Sequence, residues 1–429
     1  MFLLFNLIFL TLSCLIVTRF VQKNNFGERI ALTLPLGLGL ISFALFIFYT
    51  LPFPNALWKV LFVLSIIFLA IFFGKTIYFR RKEYASYLTI HSDFKQFFRN
   101  KLMKYWLIII TLFFVSLVFS IYFPTITPDG FVYDHFGKML ASTHDMSFYY
   151  LEAREFRTPI VPMLHSYFYL FNFNYPKIIY PLFYLSMILF TYFKLNERTR
   201  NERYSLIFTL ILASTPVFWW RSYLVLDNLI AACYFYFGVV YWYETLEGNK
   251  DDLKKKYLLS GLFFAPATWS RVEFILFCVP TLIISICLNF DNSDFKKNIF
   301  HFGIFPVAIS LMWFVVCLFI SNWVIIKLKT YVILLTFVFF CFILFLGNKY
   351  IKITALLLLV LALTILKYQF NIVFGESLLA WIQYIKYFTF RFAQYSFWQG
   401  YWVFTVSLFL FIPFNWRGFN KSEKILSYF

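Results

Sequence analysis

Residues that could do chemistry gather just after the apolar run 105–123. Asp129, Tyr133, Asp134 and His135 stand close together, among a proline and a glycine that favour a loop over a continuous helix. Carboxylates on such a loop could accept a proton, orient a hydroxyl group or hold a cation. The structural alternative is that Asp129 or Asp134 caps the helix that follows. For His135, a hydrogen bond within the loop is favoured over a metal-ligand role.

Two further groups of this kind follow in the sequence. Arg221, Tyr223 and Asp227 lie at a turn between two apolar runs, and Arg271 and Glu273 follow a later run. Asp227 could simply cap the helix that begins there, and Arg271 could pair with Glu273 at the membrane interface. Ionisable groups at a membrane are nevertheless functional candidates, because burying them is costly.

The composition requires that membrane helices position these residues. Of 429 residues, 62% are hydrophobic and only 14% are charged, whereas soluble domains carry about 25% charged residues. We predict an all-α polytopic membrane protein, because lipid offers no partner to an open strand edge. The sequence contains thirteen apolar runs, at 2–20, 29–51, 57–79, 105–123, 177–194, 204–220, 228–245, 257–270, 272–290, 299–320, 330–346, 351–367 and 399–415.

The charges of the loops orient the predicted helices. The loop 80–104 is strongly basic, which places it in the cytoplasm. An alternating path then puts the N-terminus outside, the C-terminus inside, and all three groups of candidate residues on the outer face. The apolar stretch 159–171 is too short for a span, so we predict a helix lying in or dipping into the outer leaflet.

The formal net charge of +18 does not indicate a nucleic-acid partner. The basic residues concentrate in short loops between apolar runs, where membrane topology explains them. The six cysteines all lie in apolar runs without metal-binding spacing, which is typical of core residues. A prokaryotic cell membrane is the expected location, since no sorting or retention signal is visible.

Carboxylates and arginines on one membrane face are residue types that group-transfer chemistry can use. Transfer of a sugar from a lipid phosphate needs a group that takes or orients the proton of the acceptor. It also needs cations or a metal ion to hold the departing phosphate. The residue types present meet these needs, and whether a divalent cation takes part is left open.

The same motifs resemble those of the GT-C glycosyltransferases, in the branch that contains protein O-mannosyltransferases and the aminoarabinose transferases of lipid A. Asp129 and Tyr133 are similar to the Asp-x-x-x-Tyr motif of the first outer loop in that family. Many members have a second acidic residue where this chain has Gly130. The family's later features resemble the segments Thr158–Pro162, Tyr223–Asp227 and Ser270–Glu273, in the same order. The resemblance covers about 105–290.

The resemblance implies a GT-C-like fold with outer-face juxtamembrane helices. The apolar runs and loops divide the whole chain into three predicted regions. These are an N-terminal three-helix segment with its basic loop, a catalytic membrane core with a first outer loop at 124–176, and C-terminal helices with an outer segment at 368–398. Their bounds are 1–104, 105–298 and 299–429.

The implied activity moves a sugar from a polyprenyl-phosphate donor to a lipid, glycan or protein acceptor outside the cell. Asp129 would be the catalytic base or the carboxylate that orients the acceptor, and Asp227 a second catalytic acid. Arg271 would bind the donor phosphate. The remaining substrate-binding candidates are Tyr133, Asp134, His135, Arg221, Tyr223 and Glu273.

The main alternative from another class is a transporter or a flippase of lipid-linked glycans. A transporter should carry charged or helix-breaking residues at mid-membrane in two corresponding halves, and the sequence shows no such halves. An O-antigen ligase or polymerase would be expected to use arginines in a long outer loop, but the loop 124–158 is acidic. A channel is disfavoured because no filter-like segment is present.

Overall fold

A computed structural model of the chain describes residues 17, 26–50, 102–125, 127–146, 159–246 and 253–270. All of them belong to the first of two compact units, which comprises Met1–Asp291 and Lys297–Trp313. This described part is helical with short turns and has no strand, which confirms the predicted all-α character there.

Nine α-helices make up the described part of the chain. They are α1 (Phe26–Thr50), α2 (Met103–Tyr122), α3 (Pro128–Thr143), α4 (Ile160–Leu170), α5 (Ile179–Thr199), α6 (Glu202–Ser214), α7 (Pro216–Arg221), α8 (Asp227–Leu246) and α9 (Leu253–Ser270). A short 3-10 turn, Pro176–Ile178, leads into α5.

Three helical segments within this part are long and apolar enough to cross a membrane. They are Gly27–Ile47, Met103–Tyr122 and Pro176–Thr199. Each corresponds to one of the predicted apolar runs, which supports the assignment as a membrane protein. The predicted run 57–79 and every run after 271 lie outside the described residues, as does the outer segment 368–398.

The core is built from α1, α5, α8 and α9, which approach closely through small residues and backbone contacts. The Tyr234 hydroxyl on α8 donates to the Pro35 carbonyl of α1 at 2.6 Å. Ser260 on α9 donates to the Gly238 carbonyl at 2.7 Å. A Cβ atom at Gly238 would come within 3.0 Å of the Phe264 ring, so the glycine allows α8 and α9 to pack closely.

A buried ionic cluster fixes the relative directions of α1, α5 and α8. Lys194 Nζ lies 2.7 Å from Glu28 and 2.5 Å from Glu244, and the Tyr241 hydroxyl donates to Glu28. The start of α1 therefore meets the ends of α5 and α8, so α1 runs antiparallel to both. At about 1.5 Å per residue, Tyr49 lies roughly 32 Å further along α1.

The candidate residues of the first group lie on a helix, and the prediction of a loop is wrong. Thr127, rather than Asp129 or Asp134, is the N-cap residue of α3, and its hydroxyl accepts from the Gly130 amide at 3.1 Å. Pro128 occupies the first helical position, where the missing N–H costs nothing and the fixed φ suits a helix. Here a proline starts a helix instead of breaking one.

The short helix α4 confirms the prediction of a helix within 159–171, but its surroundings differ from the prediction. All nine residues of Ile160–Phe168 are buried. Protein rather than lipid therefore surrounds most of this helix, with α1 and α3 packed against it. A Cβ atom at Gly137 of α3 would lie 2.5 Å from His165 Cβ, so the glycine permits this close crossing.

The predicted run 204–220 is not one continuous helix. It divides at Thr215, whose extended backbone (ψ 117°) ends α6 before Pro216 begins α7. The residue before a proline disfavours the α conformation, which explains the break.

Candidate functional site

The first two groups of candidate residues meet in space, although about a hundred residues separate them in the sequence. The Thr127 hydroxyl lies 3.4 Å from the Val225 carbonyl, two residues before Asp227. Asp129 in the first turn of α3 and Asp227 in the first turn of α8 are both half-buried. Two helix N-termini thus bring one carboxylate each to the same contact region.

Gly130 is required by this contact. A Cβ atom there would lie 2.6 Å from Thr127 Oγ1, 2.7 Å from Thr125 Cγ2 and 3.0 Å from Val225 Cβ. A larger side chain at this position would crowd Thr125, Thr127 and Val225. Glycine therefore allows the start of α3 and the turn that contains Val225 to pack closely.

The turn that carries Tyr223 and Asp227 is anchored to α2. The Ser222 and Ser116 hydroxyls are 2.5 Å apart, and Trp219 Nε1 donates to the Leu112 carbonyl at 3.1 Å. The Tyr223 ring packs edge-on against Phe119, with centroids 5.2 Å apart. This aromatic packing holds the second group at the same end of α2 from which α3 departs.

The last turn of α9, which directly precedes Arg271 and Glu273 in the sequence, packs against the end of α1. Trp269, near the end of α9, packs edge-on against Phe43 and Phe46 with centroid distances of 5.0 Å. Both phenylalanines lie in the last turns of α1, near Tyr49 and far from the ionic cluster. Arg271 and Glu273 themselves lie outside the described residues.

Asp134 has more ionic and hydrogen-bonding partners than its minor place among the sequence candidates suggested. Lys138 Nζ, one turn along α3, lies 2.9 Å from its carboxylate. The Tyr169 hydroxyl donates to the same carboxylate, and His165 Nδ1 lies 3.5 Å from it. Tyr169 and His165 both belong to α4, so the carboxylate joins the two packed helices.

His165 continues this network to α5. Its Nε2 atom lies 3.3 Å from the Tyr180 hydroxyl, and both side chains are completely buried. The result is a chain of polar groups, Asp134–His165–Tyr180, which we call the buried triad. Tyr180 is also within electrostatic range of Tyr133 and Asp227, one residue from each of the first two groups of candidates.

The charge states within the triad follow from burial and hydrogen bonding. Burial raises the pKa of Asp134, but hydrogen bonds from His165, Lys138 and Tyr169 outweigh this effect and hold its pKa below the usual value. Burial lowers the pKa of His165, and the neighbouring Asp134 only partly offsets that effect. Near neutral pH the triad therefore combines an ionised carboxylate with a neutral imidazole.

The other candidates on α3, α7 and the following turn occupy different environments. Tyr133 and Tyr223 are buried, at 4% and 8% exposure. His135 is exposed on α3, and Arg221 is half-buried at the end of α7. The structure therefore brings Asp129, Tyr133, Asp134 and Asp227 towards one region, whereas His135 faces away from the buried contacts.

His165, Tyr169 and Tyr180 were not among the residues predicted from the sequence. His165 is the one histidine in the apolar stretch 159–171, and this was the available signal. No spacing rule connects it with Asp134, which precedes it by thirty-one positions. Only the crossing of α3 over α4 brings the two side chains together.

The arrangement can support acid–base and hydrogen-bonding chemistry. Half-buried carboxylates at helix N-termini can orient or deprotonate a hydroxyl group. Among the residues that the structure describes, no group of three or more His, Cys, Asp or Glu side chains could hold a metal ion. The described part of the site thus offers carboxylates, an imidazole and phenols as its reactive groups.

No protein-family model, curated protein or solved structure gives a significant match to this chain. The functional assignment therefore depends on the ordered motifs and on how the described helices bring them together.

Proposed function

We propose that the protein is a GT-C-type membrane glycosyltransferase that moves a sugar from a polyprenyl-phosphate donor to an acceptor at the outer membrane face. The observation that carries the proposal is the contact between the segment of Asp129 and the turn that leads to Asp227. Two motifs that resemble the same family are distant in the sequence but adjacent in the fold.

Asp129 is the proposed base or acceptor-orienting carboxylate. It lies in the first turn of α3, at the N-terminal end of the helix. Asp227 holds the equivalent position in α8. Two anionic groups that are half-buried at one edge of the helical core suit the binding of a polyhydroxylated acceptor.

Arg271 is the proposed ligand of the donor phosphate. It directly follows α9, whose last turn lies beside the end of α1 that is remote from the ionic cluster. In the proposed role, the guanidinium group of Arg271 neutralises the charge that develops on the departing phosphate. A divalent cation could share this task.

A transporter or flippase remains the alternative function. Such a protein should place buried charges near mid-membrane. In the described ranges, the buried charged side chains lie within two turns of a helix end, and these are Glu28, Arg29, Lys194 and Glu244. Their positions support the enzyme over the transporter.

The test measures transfer of radiolabel from a panel of polyprenyl-phosphate sugars to crude envelope acceptor, with the purified protein in lipid. We expect Asp129→Asn to lower transfer by about 100-fold or more, which is the usual effect of removing a general base. We expect Asp227→Asn to weaken it as well. Asp145→Asn is the matched control, because Asp145 is an exposed carboxylate beyond the end of α3.

If no donor binds and both variants behave like wild type, the glycosyltransferase proposal is wrong. Lipid translocation in vesicles would then be measured to test the flippase. Transfer that depends equally on Asp145 would also contradict the assigned role of Asp129.

A further inference from the structure

The buried triad has features that simple packing does not require. A histidine and a tyrosine are completely enclosed, yet His165 Nε2 lies 3.3 Å from the Tyr180 hydroxyl, and His165 Nδ1 lies 3.5 Å from a carboxylate that is 24% exposed. The three side chains come from α3, α4 and α5, which are separate helices. Burying an imidazole is costly unless its nitrogens face partners.

The partners of His165 favour one arrangement of its proton. The carboxylate of Asp134 is only an acceptor, so the Nδ1 atom that faces it should carry the hydrogen. Nε2 is then a lone-pair acceptor, and the Tyr180 hydroxyl donates to it. The direction of both interactions is therefore set by the single negative charge at Asp134.

The surrounding charges also favour a neutral imidazole. Lys138 on α3 and Lys177 in the turn before α5 both oppose a positive charge on His165. From α1, which packs against α4, the buried Tyr49 is a titratable group on this side of the helix. Asp134 favours the protonated form of His165, and its own contacts with Lys138 and Tyr169 weaken that influence.

The phenol of Tyr180 is within electrostatic range of both groups of residues in the candidate site. Tyr133 and Asp227 both act on it electrostatically. While its hydrogen is donated to His165, its oxygen presents lone pairs to the remaining surroundings. If His165 gained a proton, Nε2 would become a donor, and the Tyr180 hydroxyl would have to turn its own hydrogen elsewhere.

We propose that His165 is a positioning residue for the sugar transfer, active as a neutral imidazole that holds the Tyr180 phenol in one orientation within the buried triad. This role rests on the proposed function. Protonation of His165 reverses the hydrogen bond with Tyr180 and so changes the electrostatic environment that Tyr180 shares with Asp227. Transfer therefore requires the deprotonated imidazole, although His165 is enclosed and does not touch the substrate.

The test is the pH profile of kcat/KM for label transfer in wild type, His165→Gln, His165→Asn and Tyr180→Phe. The glutamine amide can accept a hydrogen bond at the position of Nε2 and does not titrate. We expect His165→Gln to keep transfer within about tenfold of wild type and to lose the fall in activity on the acid side. His165→Asn is too short to reach Tyr180, and we expect it to lose about 10-fold to 100-fold.

Tyr180→Phe keeps the ring and removes only the hydroxyl, so it carries the test if His165→Asn fails to fold. We expect the same loss as in His165→Asn and no further loss in the double variant, because both changes break one interaction. Thermal unfolding at neutral pH checks that each variant is folded.

The outcomes separate this inference from the proposed function. If wild type is active and the fall in kcat/KM on the acid side is unchanged in His165→Gln, the proposed role of His165 is wrong. The proposed glycosyltransferase function would not be affected by that result. Additive losses in the double variant also overturn the role of His165. Wild type without transfer from any donor overturns the proposed function and this role with it.

Discussion

At the scale of single residues, Asp134 shows how tertiary contacts change the importance of a candidate. Its position in the sequence indicated only a minor role beside Asp129, since both stood in one acidic segment. In the fold, the Asp134 carboxylate pairs with Lys138 of α3, accepts a hydrogen bond from Tyr169 of α4 and lies near His165 of α4. A carboxylate with this many partners holds the surrounding side chains of α3 and α4 in place.

The titration of His165 predicts a pH dependence of stability. Its pKa is lowered in the folded protein, so unfolding takes up a proton below the ordinary histidine value of about 6.5. The stability that it contributes is complete above about pH 6.5 and is lost as pH falls towards its folded pKa. We expect the Tm of wild type to fall between about pH 7 and pH 5 more steeply than that of His165→Gln.

Asp134 adds a second effect at lower pH. Its folded pKa is also lowered, so its contribution is present above its unfolded pKa of about 3.9 and is lost as pH falls through the folded value. Asp134→Asn should therefore flatten the Tm profile only below about pH 4. Identical slopes in wild type and His165→Gln between about pH 7 and pH 5 would contradict the assigned burial of a neutral histidine.

At the scale of the elements, the crossing of α3 and α4 decides whether the triad exists. Gly137 lies at the crossing, and α4 is buried on nearly all of its length. Thr127 and Pro128 set the start of α3 and hence the rotational phase of every side chain along it. With that phase, Asp134 faces α4 and His135 faces outward.

Gly137→Ala is expected to separate α3 from α4. The new methyl group would lie 2.5 Å from His165 Cβ and 3.3 Å from the Ser166 backbone nitrogen, so a helix must move. Overpacking of this kind costs about 1–3 kcal/mol, and the separation of Asp134 from His165 should lower transfer. The measurements are Tm and label transfer in lipid.

Ser142→Ala is the matched control, because Ser142 is exposed on the same helix. It should change neither Tm nor transfer appreciably. Wild-type behaviour of Gly137→Ala in both assays would mean that the close crossing does not position the site.

At the scale of the described helical unit, polar contacts lie at both ends of α1. The ionic cluster of Lys194, Glu28 and Glu244 lies at its start. At its end, the Met146 backbone amide donates to the Tyr49 carbonyl. The cluster shows no feature of a substrate site, because its charges are paired with one another. It joins three helices and thereby fixes their alignment.

Lys194→Met should destabilise the protein strongly. The substitution leaves the buried carboxylates of Glu28 and Glu244 without their shared cation, and breaking such a pair costs about 3–5 kcal/mol. We expect a large fall in Tm in detergent, with transfer per folded molecule little changed. Lys254→Met, at an exposed lysine of α9, is the control and should leave Tm unaltered. Equal Tm values for the two variants would contradict a structural role of the cluster.

The sequence by itself determined the class of the protein and most of its described helices. Hydrophobic runs of about 20 residues require helices in lipid, and α1, α2, α5, α8 and α9 lie where such runs were predicted. The order of the motifs along the chain was also enough to single out Asp129 and Asp227 as candidate carboxylates. These features are local, because they depend on composition and on residues adjacent in the chain.

Only the tertiary structure decided which side chains meet. The start of α3 at Thr127, the burial of α4 and the triad of Asp134, His165 and Tyr180 depend on helix crossings that no local pattern encodes. A proline and a glycine in sequence indicated a loop, whereas in the fold Pro128 starts a helix and Gly130 makes room for Val225. Spacing along the chain cannot predict contacts between helices, because packing sets their rotation and distance.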